Sequence, residues 1–555
     1  MPHATVPSPG LQAIILCGPG ESLSTFTSIP KDFPKALIPI ANRPMVWYPL
    51  DWCYRMGIND ITLVTPPESQ HALESALATH PALTSLPSPK PELIAPVDLT
   101  PTTGTGLLLR LPEVQQAITS DFVVLPCDLI SELDGTRLIQ QWMTLNPLSL
   151  SARGTKRKGG LALFYPTLGL EGISHKKDET DFIATVPLDL PSVPAPNGSL
   201  RQDIEQLVIA MPTDTLNDKI QDGQGIFQLR SQLSGKYGRV KMKSKHRDAH
   251  VYIFPKWVKD YAARNEKFDS ISEDVLGWWA KAQWQNGLGE KISLHEALGQ
   301  TAHSSEDMES SQLEEPIADA AKLSTTKIAS PPRSTKGFAS RVGGSAPIPA
   351  LETLELPSLL AYVQPTPNST SPQPLIRRVD NTHALLNISL YLAKQQSHQL
   401  GHEHKVHPTA ILAQQARVSQ EDSLVAENVK IGFRSNIKES VIGANCDIGA
   451  GARLTRCLLM DGVTVGDGVQ LVGCIIGRRA RIEGLKPRDP SSAVVEGEKK
   501  KSKKPVDDDD EMTKLTDCEV APNFVVEAST EAKGEKMMPF DTEDMEDLED
   551  EEDED

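Results

Sequence analysis

Between Val425 and Ile482 the apolar positions fall at Val425, Ile431, Ile437, Ile442, Ile448, Leu454, Leu459, Val465, Leu471, Ile476 and Ile482. The steps run six, six, five and then repeat, so Val425, Ile442, Leu459 and Ile476 stand seventeen residues apart. A helix repeats every 3.6 residues and an amphipathic strand every 2, so neither produces this spacing. A coil of three short flat faces does, with one aliphatic side chain turned inward per face. Strands of successive coils then pair about 4.8 Å apart, and the stacked aliphatics make a ladder that no single coil could bury. Gly432, Gly443, Gly449, Gly466 and Gly477 follow inward positions, where a tight corner needs a missing Cβ or a positive φ. A β-sandwich of short strands has no reason to keep a seventeen-residue period. Leu412, Val418 and Leu424 mark earlier turns, and Leu515 to Val526 reads as a last rung.

The N-terminal part has a different rhythm. Gln12 to Leu16 reads as a buried strand that runs into Cys17-Gly18-Pro19-Gly20, the turn of a first βα unit. A helix then runs to Gly57, with a kink expected at Pro49, and Asn59 to Val64 is the next strand. Thr103-Gly104-Thr105-Gly106 precedes a helical stretch, and the core strand Phe122 to Leu125 ends in Pro126-Cys127-Asp128. Gly160 to Pro166 and Asp181 to Val186 read as strands, with the basic Lys156-Arg157-Lys158 on a solvated hairpin edge, a phosphate or RNA contact being the rival reading. Asn381 or Thr382 caps an amphipathic helix to about Gln396, whose face of Leu385, Leu386, Ile388 and Leu392 packs on the sheet domain or the first coil.

At 555 residues the chain exceeds one core, and 43 prolines with long polar runs place part of it outside any core. The patterns divide it into a disordered leader (1–10), an α/β domain (11–300) and a Ser/Pro-rich linker (301–374) that holds one short ordered piece, Leu351 to Val363. A connecting helix (375–400), the coil (406–484), a charged insert (485–514), the last rung (515–527) and an acidic disordered tail (528–555) follow. The net charge of -18 is concentrated, since twelve of the last fifteen residues are Asp or Glu. Such a block repels itself and argues against the chain as a whole being a nucleic-acid binder, while leaving room for a basic patch elsewhere. Seven scattered cysteines without a Cys-x-x-Cys pair argue against a disulfide scaffold or a zinc site and fit a reducing compartment. The leader lacks the regions of a signal peptide and no apolar run is long enough for a bilayer, so a soluble, cytosolic protein is expected.

The coil resembles the hexapeptide repeats of left-handed parallel β-helices, and its handedness is implied by that resemblance. The N-terminal segments, in their order, resemble the sugar-1-phosphate nucleotidyltransferases. In that family a Gly-Gly-x-Gly-Thr-Arg loop cradles a triphosphate, a lysine steadies phosphate, and an aspartate at a strand end holds magnesium. The resemblance places Gly18, Gly20, Lys35, Gly104 and Asp128 at a nucleotide site. It makes Asp128 and Asp380 the magnesium carboxylates, the latter within Arg378-Val379-Asp380-Asn381-Thr382. Asp248-Ala249-His250-Val251-Tyr252-Ile253 matches a later strand of the family, where Asn and Gly are usual in place of Asp248 and His250.

The departures decide the chemistry. The loop reads Gly18-Pro19-Gly20-Glu21-Ser22-Leu23: the arginine is missing, Glu21 adds negative charge, and Pro19 removes an amide donor. Each electrostatic donor lost costs a phosphoryl transition state a few kcal/mol, roughly 3. The fold is therefore expected to persist without transferase activity, with no catalytic residue, no cofactor and only a vestigial nucleotide and magnesium site. A degenerate transferase domain joined to a hexapeptide coil is similar to the gamma-type subunits of eukaryotic translation initiation factor 2B; the epsilon type adds a helical C-terminal domain where this chain has acidic sequence. That resemblance implies a non-catalytic subunit supporting GDP/GTP exchange on initiation factor 2. It would pair with the epsilon subunit in an assembly with alpha, beta and delta, with neither membrane nor direct nucleic-acid contact. Ile442, Leu459 and Ile476 form the candidate subunit-contact column of the coil. The rival readings are an active mannose-1-phosphate guanylyltransferase and a free-standing nucleotide sensor. No histidine lies within the repeats, which disfavours an acyltransferase.

Overall fold

The structure is a computed structural model that describes residues 7–299, 356–367, 373–395, 400–484 and 512–539, apart from 101, 152–153, 169–178, 190–193 and 197. Most of the expected leader, linker, charged insert and acidic tail lies outside the described residues.

The α/β domain is built on one nine-stranded mixed sheet. Strands β1 (Gln12–Leu16), β2 (Asp60–Val64), β3 (Glu92–Ile94) and β4 (Phe122–Pro126) run parallel in the order β3-β2-β1-β4. Such strands are covered on both faces, which is why Ile14, Ile15, Val123 and Val124 form unbroken apolar runs. The short strand β5 (Leu129–Ser131) follows β4, and β6 is Gly160–Pro166, β7 Asp181–Val186 and β8 Ile204–Pro212. The fourteen-residue β9 (Lys241–Phe254) pairs antiparallel with β4 through Tyr252–Phe254, with β7 through Lys241–His246, and with β6 on its other edge. Strand β10 (Leu359–Val363) fits between β6 and β8, so β6, β10, β8, β7 and β9 close on themselves. The short ordered piece expected within the linker thus ends in sheet, its last five residues all buried.

Helix α1 (Trp47–Arg55) carries Pro49 in its first turn, where the missing N–H has no helical partner to lose; the expected kink gives way to an ordinary start. Gly57, at φ 76°, terminates that helix. Strand β11 (Ile376–Arg378) pairs antiparallel with β5, and α2 (Thr382–Lys394) follows, its N-terminus capped by Asn381 Oδ1 accepting from the Ala384 amide at 2.7 Å.

The coil is three six-stranded parallel sheets with the seventeen-residue register, a left-handed β-helix. Val425, Ile442, Leu459 and Ile476 stack inside it. The glycines after the inward residues serve close approach rather than positive φ: a Cβ on Gly449 would come 2.6 Å from the carbonyl carbon of Gly466, one rung on. The coil also continues past the expected end at 527. Glu531–Lys533 and Lys536–Met537 add strands to two of its sheets, so the first part of the expected tail is a rung.

One face of the coil is covered by its own chain. Leu424, Val441, Leu458 and Ile475 point outward into the same apolar cluster as Ile40, Met45 and the α2 residues Leu385, Ile388 and Leu392. The segment before α1 locks this junction. Arg43 donates to the carbonyls of Leu400 and Gly401, both at 2.9 Å, and Asn42 Nδ2 donates to that of Ile442 at 2.9 Å. Ile442, Leu459 and Ile476 are 0% exposed in the coil interior and cannot be a subunit-contact column; a one-residue offset puts every side chain on the opposite side of a strand.

Candidate functional site

The site lies at the C-terminal ends of β1 and β4, adjacent in the sheet with Leu16 opposite Pro126. Three stretches distant in sequence converge there. The turn after β1 bends at Gly20 (φ 90°), where a Cβ would come 2.9 Å from Lys35 Cβ; glycine lets the loop and the lysine segment touch. Lys35 Nζ donates to Asp128 Oδ2 at 2.8 Å. The pairing of β5 with β11 sets Arg378 opposite Leu129, and Val379 N donates to the Asp128 carbonyl at 2.9 Å. Arg378 then donates from Nε to Asp128 Oδ1 at 3.2 Å and from Nη2 to Oδ2 at 3.3 Å.

Asp128 is thus 1% exposed and held by two cations. Burial alone would raise its pKa, but Arg378 and then Lys35 outweigh it and hold the carboxyl far below the usual range. Burial acts on Arg378 in the opposite sense and is overcome by Asp128 and Asp380, which raise its pKa. Asp380 is engaged as well: Arg247, on β9, donates from Nη2 to its Oδ2 at 2.5 Å and from Nη1 to its Oδ1 at 3.3 Å. Glu179 lies 3.1 Å from the same guanidinium.

This donor set does not fit magnesium. Mg²⁺ requires carboxylate oxygens free to enter an octahedral shell, whereas all four oxygens of Asp128 and Asp380 accept N–H bonds from Lys35, Arg378 and Arg247. Among the described residues, no group of three His, Cys, Asp or Glu side chains could hold a metal ion. Lys35, Arg378 and Arg247 neutralise the protein's own carboxylates.

The remaining expected residues divide. Gly18 borders open space and Gly20 adjoins Lys35. Gly104 packs instead on Asp269: a side chain there would collide with that residue, and the Gly106 amide donates to the Asp269 carbonyl at 2.6 Å. Beside the filled carboxylates is a cavity of about 310 Å³, bordered by Asp181, Arg247, Asp248, His250 and Arg378. In it Asp248 is pushed up to about 7, first by burial and then by Asp181, although Tyr252 OH (2.6 Å) and His250 N (2.8 Å) donate to it. His250, half-buried at φ 52°, is held well below its usual pKa by loss of solvent around it and then by Arg378. Arg247 and Arg378 were not legible as site residues individually. The usable signal was Arg378-Val379-Asp380, which sets a cation and a carboxylate two residues apart where β11 ends.

Fold and site together define a nucleotidyltransferase-like α/β domain with an ion-paired pocket, joined to a left-handed β-helix. Residues 419–487 match the family model described as GMPPB C-terminal domain, which fits the coil. The chain is 25% identical over 291 residues to translation initiation factor eIF2B subunit gamma of Schizosaccharomyces pombe. The alignment covers 52% of this chain and 55% of that relative, so the chain spans about half the length of the curated relative it matches. The particular resemblance is therefore to the gamma subunit of eIF2B.

Proposed function

We propose that this chain is a non-catalytic subunit of a guanine-nucleotide exchange complex of the eIF2B type. It supports GDP/GTP exchange on initiation factor 2 by pairing with an epsilon subunit in the cytoplasm, within an assembly that includes alpha, beta and delta subunits. The observation that carries the reading is the saturation of Asp128 and Asp380 by Lys35, Arg378 and Arg247, in a chain similar to eIF2B gamma. With both carboxylates ion-paired, the old pocket retains a fold but no metal-assisted phosphoryl chemistry. What the domain offers is surface and orientation, which promote exchange on a G protein without an acid or base of their own. No helix among the described residues is long and apolar enough to cross a membrane.

Affinity purification of the tagged full chain from its own cells tests this reading. Co-purification of the epsilon subunit and initiation factor 2 is expected, and the chain added to epsilon should speed release of labelled GDP from initiation factor 2. Recovery of the chain alone would overturn the proposal.

A further inference from the structure

A second cavity, of about 320 Å³, shares no residue with the one beside the carboxylates. It is a groove between the helix Thr213–Asp222, the helix Gly277–Ala282 and the loop that follows the first of them, with β8 beneath. Ile209 and Trp284 are buried at its base. Phe227 pins the loop by packing edge-on against Phe182, ring centroids 5.5 Å apart. The lip is left in water: Ile226 is 65% and Leu229 41% exposed, and Trp278 across the groove is 37% exposed. Large apolar side chains held in water are unfavourable, and a cluster of them around a groove marks a surface that another molecule covers. A small ligand would fill the base and leave Ile226, Leu229 and Trp278 wet, so the lip calls for a polypeptide.

The charge at the lip selects which kind. Lys219, Arg230 and Lys281 line the groove, and none makes an ion pair among the described residues, not even Lys219 with Asp222 one turn along its helix. Two of them lean over the apolar surface: Lys219 Nζ lies 3.7 Å from Met211 Sδ, and Lys281 Nζ lies 4.9 Å from the centre of the Trp278 ring. Burial, and then Arg230 and Lys219, hold Lys281 below its usual pKa. The groove's own carboxylates do not answer these cations. Asp274 accepts from the amides of Asp269 and Ser270, and Glu273 from Thr215 Oγ1 at 3.4 Å.

We infer that this groove is a docking site for an acidic segment of a partner protein, one that inserts a large apolar side chain between Leu229 and Trp278 and lays flanking carboxylates on Lys219, Arg230 and Lys281. Complementary charge steers such a segment to the groove and fixes its register, and the buried apolar anchor supplies most of the affinity. A nucleic acid would answer the cations but not Ile226 and Leu229, which offer no ring for a base to stack on. A neutral apolar segment would cover the lip and bury three cations without partners, which is costly. Only a segment that alternates acidic with large apolar residues meets both halves of the surface. The site is separate from the carboxylate pocket and does not depend on the exchange complex proposed above.

Fluorescence anisotropy with the full chain tests the assignment, the probe being a labelled decapeptide of glutamate interrupted by one leucine and one tryptophan. It should bind at least tenfold more tightly than the same peptide with lysine in place of glutamate, or with serine in place of its leucine and tryptophan. Binding should weaken at least tenfold in Lys219→Glu/Lys281→Glu and, separately, in Leu229→Ser/Trp278→Ser, with the circular dichroism of both variants unchanged. Lys90→Glu, beside the far edge strand β3, should bind the probe as the parent does. No saturable binding, equal affinity for either control peptide, or undiminished binding by either double variant would overturn the assignment. So would tighter binding of laurate or of oligouridylate than of the probe, or self-association of the chain that Trp278→Ser abolishes. Those outcomes would give the groove to a small anionic amphiphile, an RNA or a second copy of this chain.

Discussion

Replacing Arg378 with alanine removes two of the three side-chain N–H bonds to Asp128, those at 3.2 and 3.3 Å, and leaves the Lys35 bond at 2.8 Å. Breaking a buried ion pair outright costs about 3–5 kcal/mol, because a charge stays buried without a partner. Here the carboxylate keeps Lys35 and Asp380 keeps Arg247, so the expected loss is about 2–3 kcal/mol. Asp128→Asn should cost a similar amount by leaving Lys35 and Arg378 facing each other. The double variant should lose less than the sum, with a coupling of about 2 kcal/mol. Urea denaturation followed by tryptophan fluorescence is suited to the measurement, since all seven tryptophans lie between Trp47 and Trp284 and report the sheet domain. Arg137→Ala, which removes an exposed pair with Asp134, is the control and should change stability by less than about 1 kcal/mol. A loss below about 0.5 kcal/mol for Arg378→Ala, or strict additivity in the double variant, would refute the view that the carboxylate and its cations act as a unit.

Three further outcomes follow. Asp248 has a folded pKa of about 7, above the unfolded carboxylate value, so the folded state holds its proton more tightly and stability should fall as pH rises from about 4 to 7. Asp248→Asn should flatten that slope and stabilise the chain at pH 8 by up to about 4 kcal/mol, and an unchanged slope in denaturation against pH would refute this. Leu458→Ala opens the junction between coil and sheet domain and should cost about 3 kcal/mol while speeding amide exchange in α2, whereas Leu459→Ala should act inside the coil and spare α2. Gly20→Ala should cost about 1–2 kcal/mol in the same denaturation assay, because φ is 90° and its Cβ would press on Lys35; parent-like stability would contradict that geometry.

The coil was legible in the sequence because its inward residues repeat locally, and the period alone specifies which side chains stack. The column one residue earlier, Val441, Leu458 and Ile475, is equally regular, yet whether it meets solvent, a partner or its own chain depends on α2, which no spacing encodes. The last rung was hidden because Ala532 and Met537 stand among Glu531, Lys533, Glu535 and Lys536, a composition that resembles the tail. Strand β10 was legible only as a short ordered piece and not as sheet, because its pairing with β6 joins residues nearly two hundred apart in sequence. The candidate site was half legible. Lys35, Asp128 and Asp380 stood in motif-like segments, but the partners that cancel them arrive through the pairings of β11 with β5 and of β9 with β6, long-range contacts that local pattern cannot register.

The pocket's carboxylates, Asp128 and Asp380, are answered from within the chain. The most direct measurement is pyrophosphate release by the purified full chain supplied with magnesium, GTP and mannose 1-phosphate, extended to ATP and other sugar phosphates. No release above the enzyme-free rate is predicted, while sustained turnover that Asp128→Asn abolishes would contradict it.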